Sequence, residues 1–371
     1  MQESDLPGLT ATVLWAAFGL ALAFGAIAQR THFCTMGAVA DVVNLGDWTR
    51  MRMWGMAIGV AMIGFNCMVA LGWIEAAQSI YAAPALIWLS NVLGGLLFGF
   101  GMVLASGCGS KTLVRVGGGN LKSLVVVVVM AVAAYATMRG MVAVARVATV
   151  DKVAFTLPAG QDLPSLLAHA TGASKPLLAL LLGGGIGLAL LAWAMARPEG
   201  RSGEALLAGL GIGAVIVGMW WVSGRLGFVP EHPQTLEPSF LATNSRRMES
   251  LSFVAPVAYT MDWLILFSDT SRVLTVAIVT TLGVVLGSAA VALATGGFRW
   301  EGFRGTEDTA LHLGGAVLMG VGGVTAMGCT VGQGLSGVST LALGSFIALA
   351  GILAGGVLGV RFQAWRVERS L

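Results

Sequence analysis

The sequence predicts an all-α integral membrane protein with about nine transmembrane helices, and two observations carry that prediction. Of the 371 residues, 56% are hydrophobic and only 11% are charged, whereas soluble globular proteins carry about 25% charged residues. Apolar runs of about 18 residues or more recur along the chain, which is the length that a membrane-spanning helix needs. The 53 glycines favour close helix packing and broken helices, both typical of transporters.

Nine apolar segments are long enough to span a membrane. They lie at about 9–29, 52–72, 84–106, 121–140, 176–196, 204–223, 272–294, 310–327 and 341–360. Four shorter apolar segments, near 33–43, 108–118, 251–267 and 329–338, are too short to cross and are predicted to be re-entrant or half-helical. No basic region precedes the first apolar run, so we expect that run to be a retained span rather than a cleaved signal peptide.

Basic residues in the short loops orient the chain by the positive-inside rule. We expect the N-terminus outside and the C-terminus in the cytoplasm, with cytoplasmic loops that hold Arg30, Arg50, Arg52, Lys111, Arg115, Lys122, Arg197, Arg201, Arg299 and Arg304. Two longer loops, about 141–175 and 224–271, then lie outside. The first span starts outside and the sixth inside, which predicts two inverted-topology repeats. The net charge of +3 is too small to suggest nucleic acid as a partner.

One integrated membrane domain with three parts follows from this topology. Residues 1–140 form the first membrane repeat, 141–203 an outer loop and linker helix, and 204–371 the second repeat. A match of Arg30-Thr31-His32-Phe33 with Arg225-Leu226-Gly227-Phe228 supports the register and places Cys34 opposite Val229. Inverted repeats place their functional site near the bilayer midplane, where broken segments enter from both faces.

A ten-residue pattern, G-x-G-x-x-x-A-x-G-C, occurs twice in the chain, 221 positions apart. Its copies are Gly99, Gly101, Ala105, Gly107, Cys108 and Gly320, Gly322, Ala326, Gly328, Cys329; Gly94 and Leu97 match Gly315 and Leu318 at the same offset. The chain has only 4 cysteines, so two of them at equivalent places in a repeat are informative. The pattern predicts that each half contributes one thiol to a shared site.

A Gly-Cys pair at the start of a half-helix suits a small anion. Glycine lets backbone N–H groups approach a ligand, and the positive end of a half-helix points to the same place. A thiol is a soft, polarizable, weak donor that suits sulfur better than oxygen. We therefore predict a small sulfur-containing anion, bound along Cys108 and Cys329 with support from Gly107, Gly109, Ser110, Lys111, Gly328, Thr330 and Gln333.

Packing alone is the other interpretation of several of these residues. A lone cysteine in an apolar span is usually a small core residue, and we interpret Cys67 in that way. Lys111 and Arg115 could be topology-setting charges only. The glycines by themselves could be a small-x-x-x-small packing motif. The exact repetition that ends in cysteine favours a site at Cys108 and Cys329.

The chain resembles the YeeE/YedE family of sulfur transport membrane proteins over nearly its whole length. The residues that carry the resemblance are Arg30-Thr31-His32-Phe33-Cys34-Thr35-Met36-Gly37-Ala38 with Asp41, Ser106-Gly107-Cys108-Gly109-Ser110, and Gly328-Cys329-Thr330-Val331-Gly332-Gln333-Gly334. The resemblance implies thiosulfate uptake in bacteria through a relay of three cysteines, which Cys34, Cys108 and Cys329 match. It also implies a small cytoplasmic sulfur-carrier protein of the TusA type as partner, expected here as a separate polypeptide.

These observations predict an inner-membrane transporter, not an enzyme, that takes up thiosulfate or a closely related anion. It is expected to sit in membrane lipid and to need no cofactor and no metal; no Walker A motif for ATP is present. The alternatives are a transporter of another sulfur or selenium species and a membrane thiol oxidoreductase, although no C-x-x-C occurs. A soft-metal transporter is a further alternative, but half-helix N-termini oppose a cation.

Overall fold

The computed structural model describes residues 5–233 and 235–370 of the chain. Their architecture is helical, with two small two-stranded sheets, β1–β2 and β3–β4. The helices are α1 (Leu6–Arg30), α2 (Thr35–Leu45), α3 (Thr49–Ala70), α4 (Trp88–Leu104), α5 (Gly109–Gly117), α6 (Leu121–Arg139), α7 (Met141–Ala148), α8 (Leu163–Thr171), α9 (Lys175–Met195), α10 (Gly203–Trp221), α11 (Ala255–Ile265), α12 (Val276–Ala294), α13 (Thr306–Thr325) and α14 (Leu343–Ser370). The strands are β1 (Ala85–Leu86), β2 (Phe155–Thr156), β3 (Phe228–Val229) and β4 (Ser239–Phe240).

Eight helical segments of the described chain are long and apolar enough to cross a membrane, which confirms an all-α membrane protein. They are Leu6–Leu45, Thr49–Ala70, Trp88–Gly117, Leu121–Arg139, Lys175–Met195, Gly203–Leu226, Val276–Ala294 and Leu343–Arg369. The remaining expected span, 310–327, is α13, a helix of 20 residues that is not among the eight. Its first two turns carry Glu307, Asp308 and His312, which lower its hydropathy.

The four short apolar segments form short helices, as the sequence predicts. Two of them, α2 and α5, directly follow the long helices α1 and α4, so that each pair is a broken span. A third helical segment, 330–339, follows α13 and contains a π-turn at Gly332–Gly337. The fourth is α11, which comes after the loop that contains β3 and β4. Breaks of this kind free backbone groups in the middle of a membrane protein, where they are tolerated around a cavity.

The helices of the two halves pack in reciprocal pairs. In the repeat, α1 corresponds to α10, α3 to α12, α4 to α13 and α6 to α14. The contact of α1 with α12 is accordingly matched by that of α10 with α3, and the contact of α4 with α14 by that of α13 with α6. In addition, α4 packs directly on α13 and α1 packs directly on α10, so these helices contact the equivalent helix of the other half. Reciprocal contacts of this kind are what a two-fold relation between two copies of one unit requires. The internal repeat detected in the sequence is therefore also present in the packing.

The repeated glycines let α4 and α13 approach closely. A Cβ added at Gly94 would lie 2.7 Å from the carbonyl oxygen of Gly322, and one at Gly322 would lie 2.7 Å from that of Gly94. The equivalent pair repeats the contact, because a Cβ at Gly101 would lie 2.8 Å from the carbonyl oxygen of Gly315. Residue 94 meets 322 while 101 meets 315, so the two helices run antiparallel. Their C-terminal ends, each followed by a Gly-Cys pair, therefore lie at opposite ends of the helix pair.

The counterpart of Cys34 is Val254, and the expected pairing with Val229 is wrong. Cys34 precedes α2, which packs on α3 and α14. Val254 precedes α11, which has the same number of residues and packs on the equivalent helices, α12 and α6. Val229 instead belongs to β3, which pairs with β4 within the intervening loop. This loop lengthens the second half between α10 and α11 and shifts the register of the repeat at that point.

The loop 141–175 is more ordered than the sequence suggests. It contains α7, α8 and β2, and β2 pairs with β1 next to the start of α4. Its Gln161 accepts a hydrogen bond from the backbone N–H of Gly344 and donates one to the carbonyl oxygen of Ala83. The loop thus ties the start of α14 to the segment before α4.

Candidate functional site

The three cysteines of the predicted path share one local conformation. Each lies two positions after a non-glycine residue in the left-handed region, namely His32 (φ 52°), Ser106 (φ 58°) and Met327 (φ 57°). This conformation costs a non-glycine residue roughly 1–2 kcal/mol. Its occurrence before all three cysteines shows that the chain turns in the same way each time, from a long helix into a short one.

The turns before Cys108 and Cys329 are closed by the same hydrogen bonds. In the first half the N–H of Gly107 donates to the carbonyl oxygen of Met102 (2.8 Å), and the N–H of Ser106 donates to that of Val103 (3.1 Å). In the second half Gly328 donates to Gly323 (2.8 Å) and Met327 to Val324 (3.0 Å). These are the two bonds of a Schellman motif, which terminates a helix and redirects the chain.

Each cysteine begins a helix. Cys34 is the N-cap of α2, and its sulfur accepts a hydrogen bond from the N–H of Gly37 at 3.4 Å. The sulfur of Cys329 accepts one from the N–H of Gly332 at 3.4 Å. Cys108 is the N-cap of α5, with its sulfur 3.3 Å from the hydroxyl oxygen of Ser110. The positive ends of three short helices are thus presented at three thiols, an arrangement that favours negative charge.

The three thiols are free, buried and close together. Cys34 is 6% exposed, and Cys108 and Cys329 are 0% exposed. Cys108 lies within electrostatic range of both Cys34 and Cys329. It is therefore the shared neighbour of the other two. Cys67, in contrast, lies within α3 and is only half-buried.

A large, strongly polar cavity reaches the turn before Cys108. We call it the basic cavity; it measures about 610 Å³ and is lined by Gln29, His32, Ser106, Lys111, Arg115, Gly118, Asn120, Lys122, Ser123, Gly297, Arg299, Glu301, Arg304, Asp308 and His312. Arg115 fixes the turn, since its guanidinium donates to the carbonyl oxygen of Ser106 at 2.6 Å. Lys122 is paired with Asp308 at 3.2 Å and with Glu301 at 3.6 Å. Lys111 lies closer to the thiols, within electrostatic range of Cys34 and Cys108.

A smaller cavity reaches the equivalent turn before Cys329. We call it the hydroxyl cavity; it measures about 220 Å³ and is lined by Ile80, Met138, Asn244, Ser245, Glu249, Ser250, Ser252, Ala255, Pro256, Tyr259, Val276, Ala277, Thr280, Gly323, Val324, Met327 and Gly328. The hydroxyl oxygen of Ser252 lies 3.9 Å from the sulfur of Cys329. Ser106 and Met327 are equivalent residues at the C-terminal ends of the antiparallel helices α4 and α13. The two cavities therefore approach the thiols from opposite ends of that helix pair.

Several buried polar atoms near the thiols have no hydrogen-bond partner among the described residues. They are the hydroxyl oxygens of Thr35, Thr330 and Tyr81 and the amide oxygen of Gln333. A buried polar group without a partner costs about 1–3 kcal/mol, so these atoms are suited to a bound polar ligand. The amide nitrogen of Gln333 is already used, because it donates to the carbonyl oxygen of Ala326 and holds the turn before Cys329.

The other predicted supporting residues surround the same turns. Gly107 faces Lys111 and Arg115, and Gly109 faces the backbone of Phe253. Ser110 is buried against Cys108. Gly328 lines the hydroxyl cavity, and Thr330 is fully buried in the first turn of the following helix.

Sequence reasoning missed three polar residues at this centre: Tyr81, Glu249 and Ser252. All three come from loops outside the repeated motif, so no spacing signal marked them. Ser252 had one available signal, because Phe253-Val254 occupies the place of Phe33-Cys34 in the repeat. Tyr81 reaches the centre because its loop lies against the π-turn, where its hydroxyl oxygen would be 3.5 Å from a Cβ at Gly332.

The described part of the chain has eight candidate spans and broken helices that meet at a buried polar centre, which together define a polytopic α-helical membrane protein of the transporter class. The chain belongs to the sulphur transport family, which it matches over residues 30–358. It is therefore a multi-pass membrane transporter and not an enzyme.

Curated relatives match the chain over most of its length. A protein named thiosulfate transporter TsuA, from Spirochaeta thermophila, is 26% identical over 348 residues, which cover 91% of this chain and 94% of that protein. The thiosulfate transporter TsuA of Escherichia coli is 27% identical, over 92% of this chain and 91% of that protein. A protein named probable transporter YedE, from Salmonella typhimurium, is 35% identical over 96 residues, 25% of this chain and 21% of that protein.

Proposed function

We propose that this protein takes up thiosulfate, or a closely related small sulfur anion, along a path formed by Cys34, Cys108 and Cys329. One observation carries the proposal. Three free thiols are buried, each at the start of a short helix, and the two cavities reach the turns before them: the basic cavity at His32 and Ser106, the hydroxyl cavity at Met327 and Gly328. Support also comes from the two full-length relatives that are named thiosulfate transporters.

The chemistry of the path suits a sulfur dianion. An ion that leaves water must find replacement donors, and the backbone N–H groups at the starts of α2, α5 and the 330–339 helix supply them. Each thiol adds an S–H donor, which is weak and soft and thus suited to the terminal sulfur of thiosulfate. Because each contact is weak, the ion can move from Cys329 to Cys108 to Cys34 without being trapped at any one of them.

The charge distribution gives the proposal a direction. In the orientation that the positive-inside rule predicts, the basic cavity opens to the cytoplasm and the hydroxyl cavity to the outside of a bacterial inner membrane. An anion then moves from the hydroxyl cavity, past the thiols, toward Lys111 and Arg115. A separate sulfur-carrier protein of the TusA type at the cytoplasmic face would remove the sulfur and so favour net uptake.

The test of this function is uptake of ³⁵S-labelled thiosulfate in a bacterial strain that lacks its own sulfate and thiosulfate importers. We expect the chain to confer uptake that excess unlabelled thiosulfate abolishes and excess sulfate does not abolish. Sulfate has no terminal sulfur atom that could accept a hydrogen bond from a thiol. Verified expression in the inner membrane without thiosulfate uptake, with and without a TusA-type protein, would show that the cargo is another species.

Lys111 is the basic residue whose loss we expect to weaken uptake most directly. Lys111→Gln removes the positive charge near Cys34 and Cys108 and leaves a neutral polar side chain that is one bond shorter. We expect the KM for thiosulfate to rise about tenfold, the change that corresponds to about 1.4 kcal/mol of lost attraction.

Arg197→Gln is the matched control, because Arg197 is exposed and lines neither of the two cavities. It removes the same charge from the chain and should leave KM unchanged. Equal effects of the two substitutions would show that Lys111 acts only through net charge or topology.

A further inference from the structure

Among the described residues, those that line the hydroxyl cavity include one acidic side chain and no basic one. Its lining residues include Glu249, but no lysine, arginine or histidine. Glu249 shares this cavity with Ser252, whose hydroxyl oxygen lies 3.9 Å from the sulfur of Cys329, and with Gly328. A carboxylate thus lies in the cavity through which an anion would have to reach the first thiol.

The position of Glu249 is fixed by its neighbours. Its backbone N–H donates to the hydroxyl oxygen of Ser223 at 2.8 Å, which anchors it to the end of α10. One carboxylate oxygen accepts a hydrogen bond from the hydroxyl of Ser245 at 3.0 Å. The preceding residue, Met248, is fully buried and its backbone bonds to Gln78 and Ile80. The backbone at Glu249 is therefore anchored beside the hydroxyl cavity, and Ser245 holds one oxygen of its carboxylate.

An ionised carboxylate at this place would repel a dianion in a cavity that screens charge poorly. A protonated carboxyl group would not repel it, and its O–H would be a hydrogen-bond donor to the anion's oxygens. The two states of one side chain thus have opposite effects on the entry of an anion.

We propose that Glu249 is a proton-binding site on the transport path, and that thiosulfate enters the hydroxyl cavity only when Glu249 is protonated. This inference rests on the proposed function, because it concerns the passage of that anion. It adds that uptake is linked to external pH through one side chain.

The titration of Glu249 fits this role. Burial raises the pKa of Glu249 to about 7, and hydrogen bonds from Ser245 and the backbone of Asn244 oppose the shift by a smaller amount. Because the pKa is raised, the group is protonated below about pH 7 and ionised above it. Uptake is therefore expected to rise as the external pH falls through that value.

Other charged and titratable groups surround this part of the cavity. Tyr81 and Tyr259 are within electrostatic range of Glu249, and burial raises the pKa of Tyr81 well above its usual value, so its hydroxyl is neutral near pH 7. An adjoining cavity of about 150 Å³ shares Asn244 and Tyr259 and is lined in addition by Arg139, Asp262 and Arg272. Arg272 is paired with Asp262 at 3.1 Å, and Arg247 of the same loop donates to the carbonyl oxygen of Ser79. The thiol of Cys329 also borders this region, because its sulfur lies 3.9 Å from the hydroxyl oxygen of Ser252.

The experiment measures initial rates of ³⁵S-thiosulfate uptake into proteoliposomes that contain the full-length protein, at external pH values between about 6 and 8. We expect the wild-type rate to be about tenfold higher at pH 6 than at pH 8, in proportion to the protonated fraction of a group with a pKa near 7. Glu249→Gln, which is permanently neutral and similar in shape, should transport at nearly the same high rate across the range.

Two further variants guard against a folding defect. Glu249→Asp keeps a titratable group and should retain a pH dependence, although its midpoint can move. Glu237→Gln neutralises an exposed carboxylate of the same loop and should behave as the wild type does. Each variant is compared at matched amounts of monodisperse, reconstituted protein.

The outcomes separate the two proposals. A wild-type protein that transports thiosulfate with no pH dependence, or a Glu249→Gln variant that retains the full wild-type dependence, overturns the role of Glu249 and leaves the transport function intact. A Glu249→Gln variant that folds but does not transport at any pH also overturns it. A wild-type protein without thiosulfate uptake at any pH contradicts the proposed function, and the inference falls with it.

Discussion

Replacement of Cys108 by alanine is expected to reduce thiosulfate uptake to the background of cells without the protein. Cys108 is fully buried and is the neighbour of both Cys34 and Cys329, so its loss leaves a gap in the middle of the path. Cys329→Ala should have the same effect, because it removes the first thiol that an entering anion meets. The measurement is uptake of labelled thiosulfate at matched membrane levels of each variant.

Two controls show whether the thiol itself is needed. Cys108→Ser keeps a small hydrogen-bonding side chain but replaces sulfur with a harder oxygen, and we expect it to transport much less than the wild type. Cys67→Ala removes a thiol that lies inside α3 rather than at the start of a helix, and should be nearly silent. Wild-type rates in Cys108→Ala would remove the basis for a thiol relay.

Replacement of Gly322 by valine is expected to prevent α4 and α13 from packing. A Cβ at Gly322 would lie 2.5 Å from the backbone nitrogen of Phe98 and 2.7 Å from the carbonyl oxygen of Gly94. Backbone atoms cannot move aside as a flexible side chain can, so the two helices would have to separate. We expect the free energy of unfolding to fall by about 3 kcal/mol or more, which is the upper end of the usual cost of overpacking a core.

The control for this effect lies on the same helix. Gly314 has no atom within 4 Å of an added Cβ, so Gly314→Val should insert and fold normally. Thermal unfolding of the detergent-solubilised protein, followed by fluorescence-detected size exclusion, compares the two variants. Equal melting temperatures for Gly322→Val and the wild type would contradict the close contact of α4 and α13.

Much of the fold follows from the sequence because the bilayer imposes a simple rule. A spanning helix needs a long apolar run, and each expected span corresponds to a helix of the structure. The short helices are predictable for the same reason, since a run such as 108–118 is too short to cross. The repeat was visible because Gly94, Gly101, Gly315 and Gly322 must all lack a side chain where α4 and α13 meet.

The rest depends on contacts that no local pattern records. Ser106 and Met327 adopt positive φ angles although neither is glycine, because the turn before each cysteine is fixed by the helices on both sides. Val254 escaped detection as the counterpart of Cys34 because the β3–β4 loop shifts the register of the second half. Glu249 and Tyr81 lie in loops that only the tertiary structure brings together, Glu249 in the hydroxyl cavity and Tyr81 near Cys329.

The roles of Cys34, Cys108 and Cys329 as a path are tested most directly by protection of the thiols in the wild-type protein. The reconstituted protein is treated with a small methanethiosulfonate reagent, and mass spectrometry follows the modification rate of each of the 4 cysteines in the presence of thiosulfate or sulfate. We predict that thiosulfate, and not sulfate, slows the modification of Cys34, Cys108 and Cys329 and leaves that of Cys67 unchanged. Unchanged modification of all three, or equal slowing at Cys67, would contradict a thiosulfate path along these thiols.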